Sequence, residues 1–365
     1  MEYKLKNYNE LKLNEKFSNY VLGIDIGGTN TNLAIAGIKN HKPILLFSHN
    51  YQTNHLESII PAIENISTYA NKNYKINIDF SCIGAAGVVS QSNDFVKLTN
   101  ANWYISSKEI TEKTNLDSIY IINDFQAIGY GLNLLDYKNK NDIIIIRPGK
   151  SDLNYSKSTI AIIGAGTGLG KSILTYDSSF NAYIPLPSEG GHADFSIQSN
   201  FEVQLVEFIK NLRGISKPLT YEELLSGRGI EGIYLFLRKN QEFNESPYTK
   251  EIDESIDKPQ LISKYKNLDE TCKVTFGLFS RFYGRCAKNF VLDTLSKGGL
   301  YIAGGIAVKN KEIFSSNEFI NEFENVYNRS DLLKSIPISI IVNYDVSLYG
   351  ACYAAMYKFL RKKSQ

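Results

Sequence analysis

A few polar side chains in this chain stand at spacings suited to moving a proton and gripping a hydroxyl-rich ligand. Asp124 follows Asn123 where an apolar run, Ile119-Tyr120-Ile121-Ile122, gives way to a helical pattern. A helix N-terminus favours the ionised form of a carboxylate, and an ionised carboxylate can accept a hydroxyl proton. The same residue could instead simply cap the helix. Glu189-Gly190-Gly191-His192 sets a hydrogen-bond acceptor near a ring that can also donate, a pairing that suits hydroxyls. Glu222, ahead of Leu224-Leu225-Ser226-Gly227, offers a second acceptor or the start of a helix. Asp25 closes an apolar strand just before Gly27-Gly28-Thr29-Asn30. It reads either as a turn aspartate bonding its own backbone or as the carboxylate beside a Mg2+–phosphate complex. Mg2+ takes one or two carboxylates together with phosphate oxygens and water.

Two glycine-rich turns accompany these residues. One is Asp25–Asn30, and the other is Gly164-Ala165-Gly166-Thr167-Gly168-Leu169-Gly170. Glycine can take φ > 0 and lets backbone N–H groups approach an anion closely, so each turn could hold phosphates. Two of them in strand–turn–strand settings suggest a duplicated fold with one phosphate loop per half. The second turn falls one glycine short of the Walker A pattern G-x-x-x-x-G-K-[ST]. That pattern needs a helix directly after its lysine, whereas Lys171 leads into the strand-forming run Ser172-Ile173-Leu174-Thr175-Tyr176. The dinucleotide fingerprint fails too, because Leu169 occupies the place of its third glycine. A hairpin without ligand is the plain alternative, and the repeat at Asp25–Asn30 weighs against it.

The elements that must carry these residues follow from the apolar spacing. Residues 21–26, 32–38 and 44–48 predict a β-meander, which suits an open mixed sheet. Leu56, Ile59, Ile60, Ile63 and Ile66 line one face of a helix over 55–74. Strands at 80–85 and 118–123 and a helix at 125–135 come next. Ile143–Ile146 and the polar run 149–158 predict a passage to a second domain. That domain repeats the meander at 159–163, 171–176 and 182–186, followed by helices at 201–212, 220–225 and 230–238. The charged stretch 239–267, with Pro247 and Pro259, predicts a solvated excursion. A long helix over 271–295, a strand ending in Ala303-Gly304-Gly305 and an amphipathic helix over 346–360 complete the pattern.

Composition bounds the rest. A chain of 365 residues with 43% hydrophobic content predicts two packed domains. Its 40 basic and 38 acidic residues give a net charge of +2, which argues against nucleic acid or an anionic membrane as partner. No apolar run approaches the length of a membrane span. The residues before Tyr20 lack the apolar stretch of a signal peptide. Cys82, Cys272, Cys286 and Cys352 have no paired spacing and read as buried thiols in a reducing compartment. Without a cysteine cluster His192 is a poor zinc ligand, and His41, His49 and His55 read as surface residues.

As a set, these residues resemble the bacterial-type glucokinase family, part of the actin-like superfamily of sugar kinases and heat-shock chaperone ATPases. The resemblance runs from Val21 to Tyr357. Its carriers are Asp25–Asn30, Leu98-Thr99-Asn100 with Trp103, Ile122-Asn123-Asp124-Phe125, Gly166-Thr167-Gly168-Leu169-Gly170, Glu189–His192, Leu225-Ser226-Gly227 and Ala303-Gly304-Gly305. It implies an α/β fold of two actin-like (ribonuclease H-like) domains, each a mixed sheet with flanking helices, with an active-site cleft between that closes on sugar. The smaller would hold residues 1–134 and 345–365, the larger 135–344. By the same resemblance Asp124 is the general base for the 6-hydroxyl of glucose. Asn100, Asn123, Glu189, His192 and Glu222 hold the other hydroxyls. Gly27, Gly28, Thr29 and Asn30 cradle the ATP phosphates with Gly166, Thr167 and Gly168, while Gly304 and Gly305 lie against the adenosine. Asp25 holds Mg2+ through water. A cytoplasmic homodimer using ATP and Mg2+ is further implied.

The zinc-binding cysteines of the related repressor/open-reading-frame/kinase group are absent, which places the chain outside that branch. Arg228 stands where the family often has proline, and the stretch before Tyr20 is longer than usual. A nucleotide-gated binding protein on the same scaffold would leave the Glu189–His192 tetrad without purpose. A sugar-responsive repressor would need a DNA-binding domain, for which the residues before Tyr20 are too few.

Overall fold

The computed structural model describes residues 2–8, 15–99, 101–149, 157–240 and 243–363. The chain divides into two compact units: Met1–Asn139 with Thr175–Pro187 and Asn343–Gln365, and Lys140–Leu174 with Ser188–Val342.

The first unit is built on β1 (Lys4–Asn7), β2 (Tyr20–Ile26), β3 (Asn30–Lys39), β4 (Lys42–Gln52), β5 (Phe80–Ala85), a small hairpin of β6 (Phe95–Lys97) and β7 (Tyr104–Ser106), and β8 (Ile119–Asn123). The main sheet runs β1-β4-β3-β2-β5-β8. β2 to β4 form the expected antiparallel meander, while β2, β5 and β8 are parallel. Alternation along β2 serves two cores. Leu22, Ile24 and Ile26 pack with Ile63 and Ile66 of the helix Ile60–Tyr74, whereas Val21 packs with Ala127, Cys352 and Met356. Asp25 falls on the second face, towards the helices Asp124–Gly131 and Val346–Lys363. Those two helices touch backbone to backbone, since a Cβ on Gly350 would lie 1.6 Å from the Ala127 carbonyl oxygen. The first helix begins at Ile60 rather than His55, with Pro61 in its opening turn.

The stretch before Tyr20 supplies β1, whose residues Lys4 to Asn7 pair with Asn50 to Phe47. Lys6 forms an ion pair with Asp345, and the Tyr8 hydroxyl donates to the same carboxylate at 3.2 Å. This clasp overturns one expectation. His49, read as a surface residue, is fully buried, because Tyr3 stacks on its ring at 3.8 Å and Tyr69 meets it edge-on at 5.1 Å. Its Nε2 has no hydrogen-bond partner, and burial pushes the imidazole down from 6.5 to about 4. The folded state therefore favours the neutral ring. Its contribution to stability is complete above the unfolded value of 6.5 and is lost as pH falls towards about 4. His49→Phe is expected to flatten the fall of the thermal midpoint across that interval, as measured by differential scanning fluorimetry. Parallel curves for variant and wild type would refute the assignment.

The second sheet holds β9 (Ile143–Arg147), β10 (Ile160–Ala165), β11 (Leu169–Asp177), β12 (Ala182–Ser188), β13 (Gly299–Ala303) and β14 (Ile338–Ile341), in the order β12-β11-β10-β13-β14-β9. The outer part of the β11–β12 hairpin, Thr175–Pro187, is grouped with the first unit. Again three strands, β10, β13 and β14, are parallel. Residues 143–146 are not a passage between domains. They form an edge strand antiparallel to β14, with Ile143 opposite Ile341. Most of the run 149–158 lies outside the described residues. The stretch 239–267 is also more ordered than expected: helices Thr249–Glu254 and Lys258–Tyr265 bury Ile252, Ile262 and Tyr265 in the unit's core.

The long helix Glu270–Thr294 crosses this unit, and its Tyr283 hydroxyl donates to the Ile163 carbonyl at 3.3 Å. It also carries a buried ionic knot. Arg285 grips Glu202 through two bonds of 2.7 and 2.9 Å, Glu322 at 2.8 Å, and the Ser196 carbonyl at 2.6 Å. Burial opposes the charge on Glu202. The Arg285 fork and the Gln198 amide overcome it and hold the carboxyl below its ordinary value.

Candidate active site

In the first unit, the carboxyl ends of three parallel strands bring polar groups to one edge. The register sets Asp25 opposite Gly84, and Ala85 opposite Asn123. Ligands of open α/β sheets lie beyond such strand ends. Asn123, rather than Asp124, caps the helix: its Oδ1 accepts from the Phe125 amide at 2.8 Å, and Gln126 Oε1 accepts from the Asn123 amide at 3.2 Å. Its Nδ2 donates to the Gly87 carbonyl at 3.3 Å. The hydroxyl-binding role expected of Asn123 must therefore share these bonds. Asp124 occupies the first helical turn, half-buried, and its Oδ1 accepts from the Phe125 amide at 2.9 Å.

Asp25 feels this arrangement. Burial pushes its carboxyl up to about 6; hydrogen bonds from Ser347 and Asn32 oppose the rise, and the charges of Asp124 and Asp345 add to it. Asn32 stands opposite Asp25 across the β2–β3 pair and accepts from Asn50 at 2.7 Å. Two carboxylates that repel across a half-buried site offer hard oxygen donors whose repulsion a divalent cation would relieve. Among the described residues no group of three or more His, Cys, Asp or Glu could hold a metal. A cation here would therefore complete its shell with phosphate and water oxygens.

The adjoining turn is braced from below. The Gly27 amide donates to the Asn30 carbonyl at 2.9 Å, and Thr53 donates its hydroxyl to the Gly27 carbonyl at 2.8 Å and its amide to the Thr29 carbonyl at 2.9 Å. Gly28, Thr29 and Asn30 are left exposed. Beside them lies a concavity of about 640 Å³ lined by Gly28, Thr53, Asn54, Glu57, Thr99 and Trp103. Asn100 lies outside the described residues.

The second unit gathers its candidates around the other glycine turn. The Gly166 amide donates to the Gly168 carbonyl at 2.8 Å, and Lys171 sits inside β11, so no helix follows the loop. Open space faces Gly166 on the side a Cβ would occupy. Gly304, at the end of β13 with φ +90, lies so close to β10 that a Cβ would sit 2.5 Å from the Ala165 carbonyl oxygen. Any residue but glycine would be strained there. Glu222 reaches the loop directly, its Oε2 accepting from the Leu169 amide at 2.9 Å, with Arg228 3.6 Å from its other oxygen.

Glu189 and His192 stand on a short 3-10 turn, both exposed and 3.7 Å apart. That turn rests on β11, because a Cβ on Gly191 would be 1.9 Å from the Leu169 carbonyl oxygen. Immediately beyond it, Asp194 bridges to Thr220, and the Tyr221 amide donates to the Ala193 carbonyl at 2.9 Å. The segments bearing Glu189, His192 and Glu222 are thus fastened to one another and to the glycine loop. Asn32 and Ser347 hydrogen-bond Asp25, although neither stands at a spacing that suggests chemistry. Pairing across the β2–β3 hairpin could have revealed Asn32; no local signal marks Ser347.

Glycine turns at the carboxyl ends of parallel strands, once in each unit, accord with an α/β fold of the actin-like class, and comparison with known proteins supports that fold. The structure resembles that of glucokinase from Balamuthia mandrillaris in complex with glucose, with a TM-score of 0.77 at 21% identity, covering 96% of this chain and 100% of that one. A ROK family glucokinase from Streptomyces griseus, in complex with glucose and AMPPNP, gives 0.60 at 16% identity, covering 93% and 100%. In sequence, the glucokinase of a Nostoc species is 34% identical over 349 residues, which span 92% of this chain and 98% of that protein. The glucokinase family model matches residues 22–358. The chain belongs to the glucokinase family. Among the described residues no helix is long and apolar enough to cross a membrane.

Proposed function

We propose that this chain transfers the γ-phosphoryl group of ATP to the 6-hydroxyl of glucose, giving glucose 6-phosphate and ADP. The observation that carries the reading is the carboxylate pair Asp25 and Asp124 at the carboxyl edge of β2, β5 and β8, beside an exposed glycine turn.

Phosphoryl transfer through a loose transition state asks the protein chiefly for alignment and charge stabilisation. Asp124 receives the proton of the attacking hydroxyl from the first turn of a helix, a position that favours a carboxylate. Glu189, His192 and Glu222, with Asn123 and Asn100, hold the remaining hydroxyls and so fix which oxygen attacks. The turns Gly27–Asn30 and Gly166–Gly168 present backbone amides to the phosphates, other than those of Gly27 and Gly166, which bond within the turns, and Gly304 and Gly305 lie against the adenosine. Mg2+, held by Asp25 through water, would neutralise charge on the phosphate oxygens. The assignment of these residues rests on family resemblance together with the geometry above, and assembly as a homodimer rests on the resemblance alone.

Glu189→Gln and His192→Ala are each expected to raise the KM for glucose about tenfold, the loss of one hydrogen bond to the sugar, with kcat changed far less. Steady-state kinetics at saturating ATP reads this out. An unchanged KM in both variants would remove the two residues from the sugar site. The substrate is tested by ADP release with glucose, fructose, mannose and N-acetylglucosamine as separate acceptors. Glucose should give the highest kcat/KM; preference for another hexose would redirect the proposal.

A further inference from the structure

In the sequence Lys171 is the lysine of an incomplete Walker pattern, and its place inside β11 removes that role without supplying another. It is only 6% exposed, yet no carboxylate pairs with it among the described residues. Its Nζ lies over the ring faces of Phe290 at 5.0 Å and Tyr221 at 5.7 Å, and it shares a hydrogen bond with the Cys286 thiol. Withdrawing an ammonium from water without a counter-ion is costly, and desolvated aromatic faces return part of that cost.

The location of this cation gives it a use. A Cβ on Gly190 would come within 3.0 Å of Lys171 Cδ and 3.5 Å of its Nζ, so the lysine stem runs directly along the Glu189–His192 turn. Tyr221, whose ring receives the ammonium, immediately precedes Glu222. The strand that carries Lys171 continues from the glycine loop at Gly166–Gly168. One side chain therefore lies against both segments that supply hydroxyl-binding groups.

We propose that Lys171 is a positioning residue for the hexose site, fixing the turn that carries Glu189 and His192 against the segment that carries Glu222. The inference rests on the sugar-site reading given above, and Lys171 itself need not touch the sugar. A purely structural lysine would behave differently. Exchanging it for methionine, of similar length, would lift the desolvation cost and leave sugar binding intact.

Calorimetric titration of the full chain with glucose distinguishes the two, with the thermal midpoint as a second readout. Lys171→Met is expected to weaken glucose binding about tenfold, as for one misplaced hydrogen bond, without lowering the midpoint. Gly190→Ala pushes a methyl group against the lysine stem. It should weaken binding in the wild-type background and have no further effect in Lys171→Met; this single variant also carries the test if Lys171→Met does not fold. Glu189→Gln serves as the control. If it weakens binding while Lys171→Met and Gly190→Ala bind as wild type, the positioning role fails alone. If all three bind as wild type, the hexose site is wrongly placed and the inference falls with it.

Discussion

Asp124→Asn is expected to lower kcat by 10²- to 10⁴-fold, the usual contribution of a positioned general base. That corresponds to roughly 3–5 kcal/mol of transition-state stabilisation. The amide keeps the size and much of the hydrogen-bonding capacity of the carboxylate, including acceptance from the Phe125 amide at Oδ1. It cannot take up the hydroxyl proton. Glucose affinity should therefore survive, and calorimetry on the variant should return a Kd within a few-fold of wild type. A large fall in kcat with preserved binding identifies a group that acts in the transition state. Near-normal turnover would show that the proton leaves by another route.

The second large effect concerns stability. Arg285→Met should lower it by about 3–5 kcal/mol, because Glu202 and Glu322 would keep their burial and lose their shared partner. In thermal unfolding this corresponds to a fall of about 10 °C. The Arg285→Met/Glu202→Gln double variant should recover part of the loss, since it removes one of the stranded charges. The sign with pH follows from Glu202. Its folded-state carboxyl lies below the ordinary value of 4.5. The stabilisation is therefore present above that value and is lost as pH falls through the lower, folded-state one. An Arg285→Met protein that unfolds at the wild-type temperature would show that the knot contributes specificity rather than stability. The knot also bears on the site, because Arg285 holds the Ser196 carbonyl only a few residues after His192.

Much of the architecture was legible because it depends on local signals. The β-branched runs around Gly27–Asn30 and Gly166–Gly170 announced two meanders, and strand continuation at Lys171 excluded a Walker loop. The Asn123-Asp124 junction was readable as a strand end and helix start, though the cap fell on Asn123. What escaped depends on pairing over long sequence distances. Nothing local marks His49 as buried, because the residue that covers it, Tyr3, lies far upstream, just before a short strand whose apolar alternation is weak. Ile143–Ile146 is an apolar run, but nothing local says that it joins β14 across the whole second unit. The helices at Thr249–Glu254 and Lys258–Tyr265 were masked by charge, each burying only one or two apolar side chains. Asp257 before Lys258 and Pro259 was nonetheless a readable helix start, an N-cap acid followed by a first-turn proline.

The candidate site divides in the same way. Asp25, Asp124, Glu189, His192 and Glu222 could be picked out by chemical type beside glycines or at element ends. Their supports could not. Ser347 holds Asp25 from the C-terminal segment, and Glu222 turns out to grip the Leu169 amide. Those partnerships exist only once the sheets have formed.

The central claim is that this chain esterifies the 6-hydroxyl of glucose at the expense of ATP. Phosphorus NMR of the purified chain with ATP, Mg2+ and glucose tests it directly. The γ-phosphate signal should be replaced by that of glucose 6-phosphate in equal amount with ADP. ATP left intact, or inorganic phosphate released without a sugar ester, would contradict it.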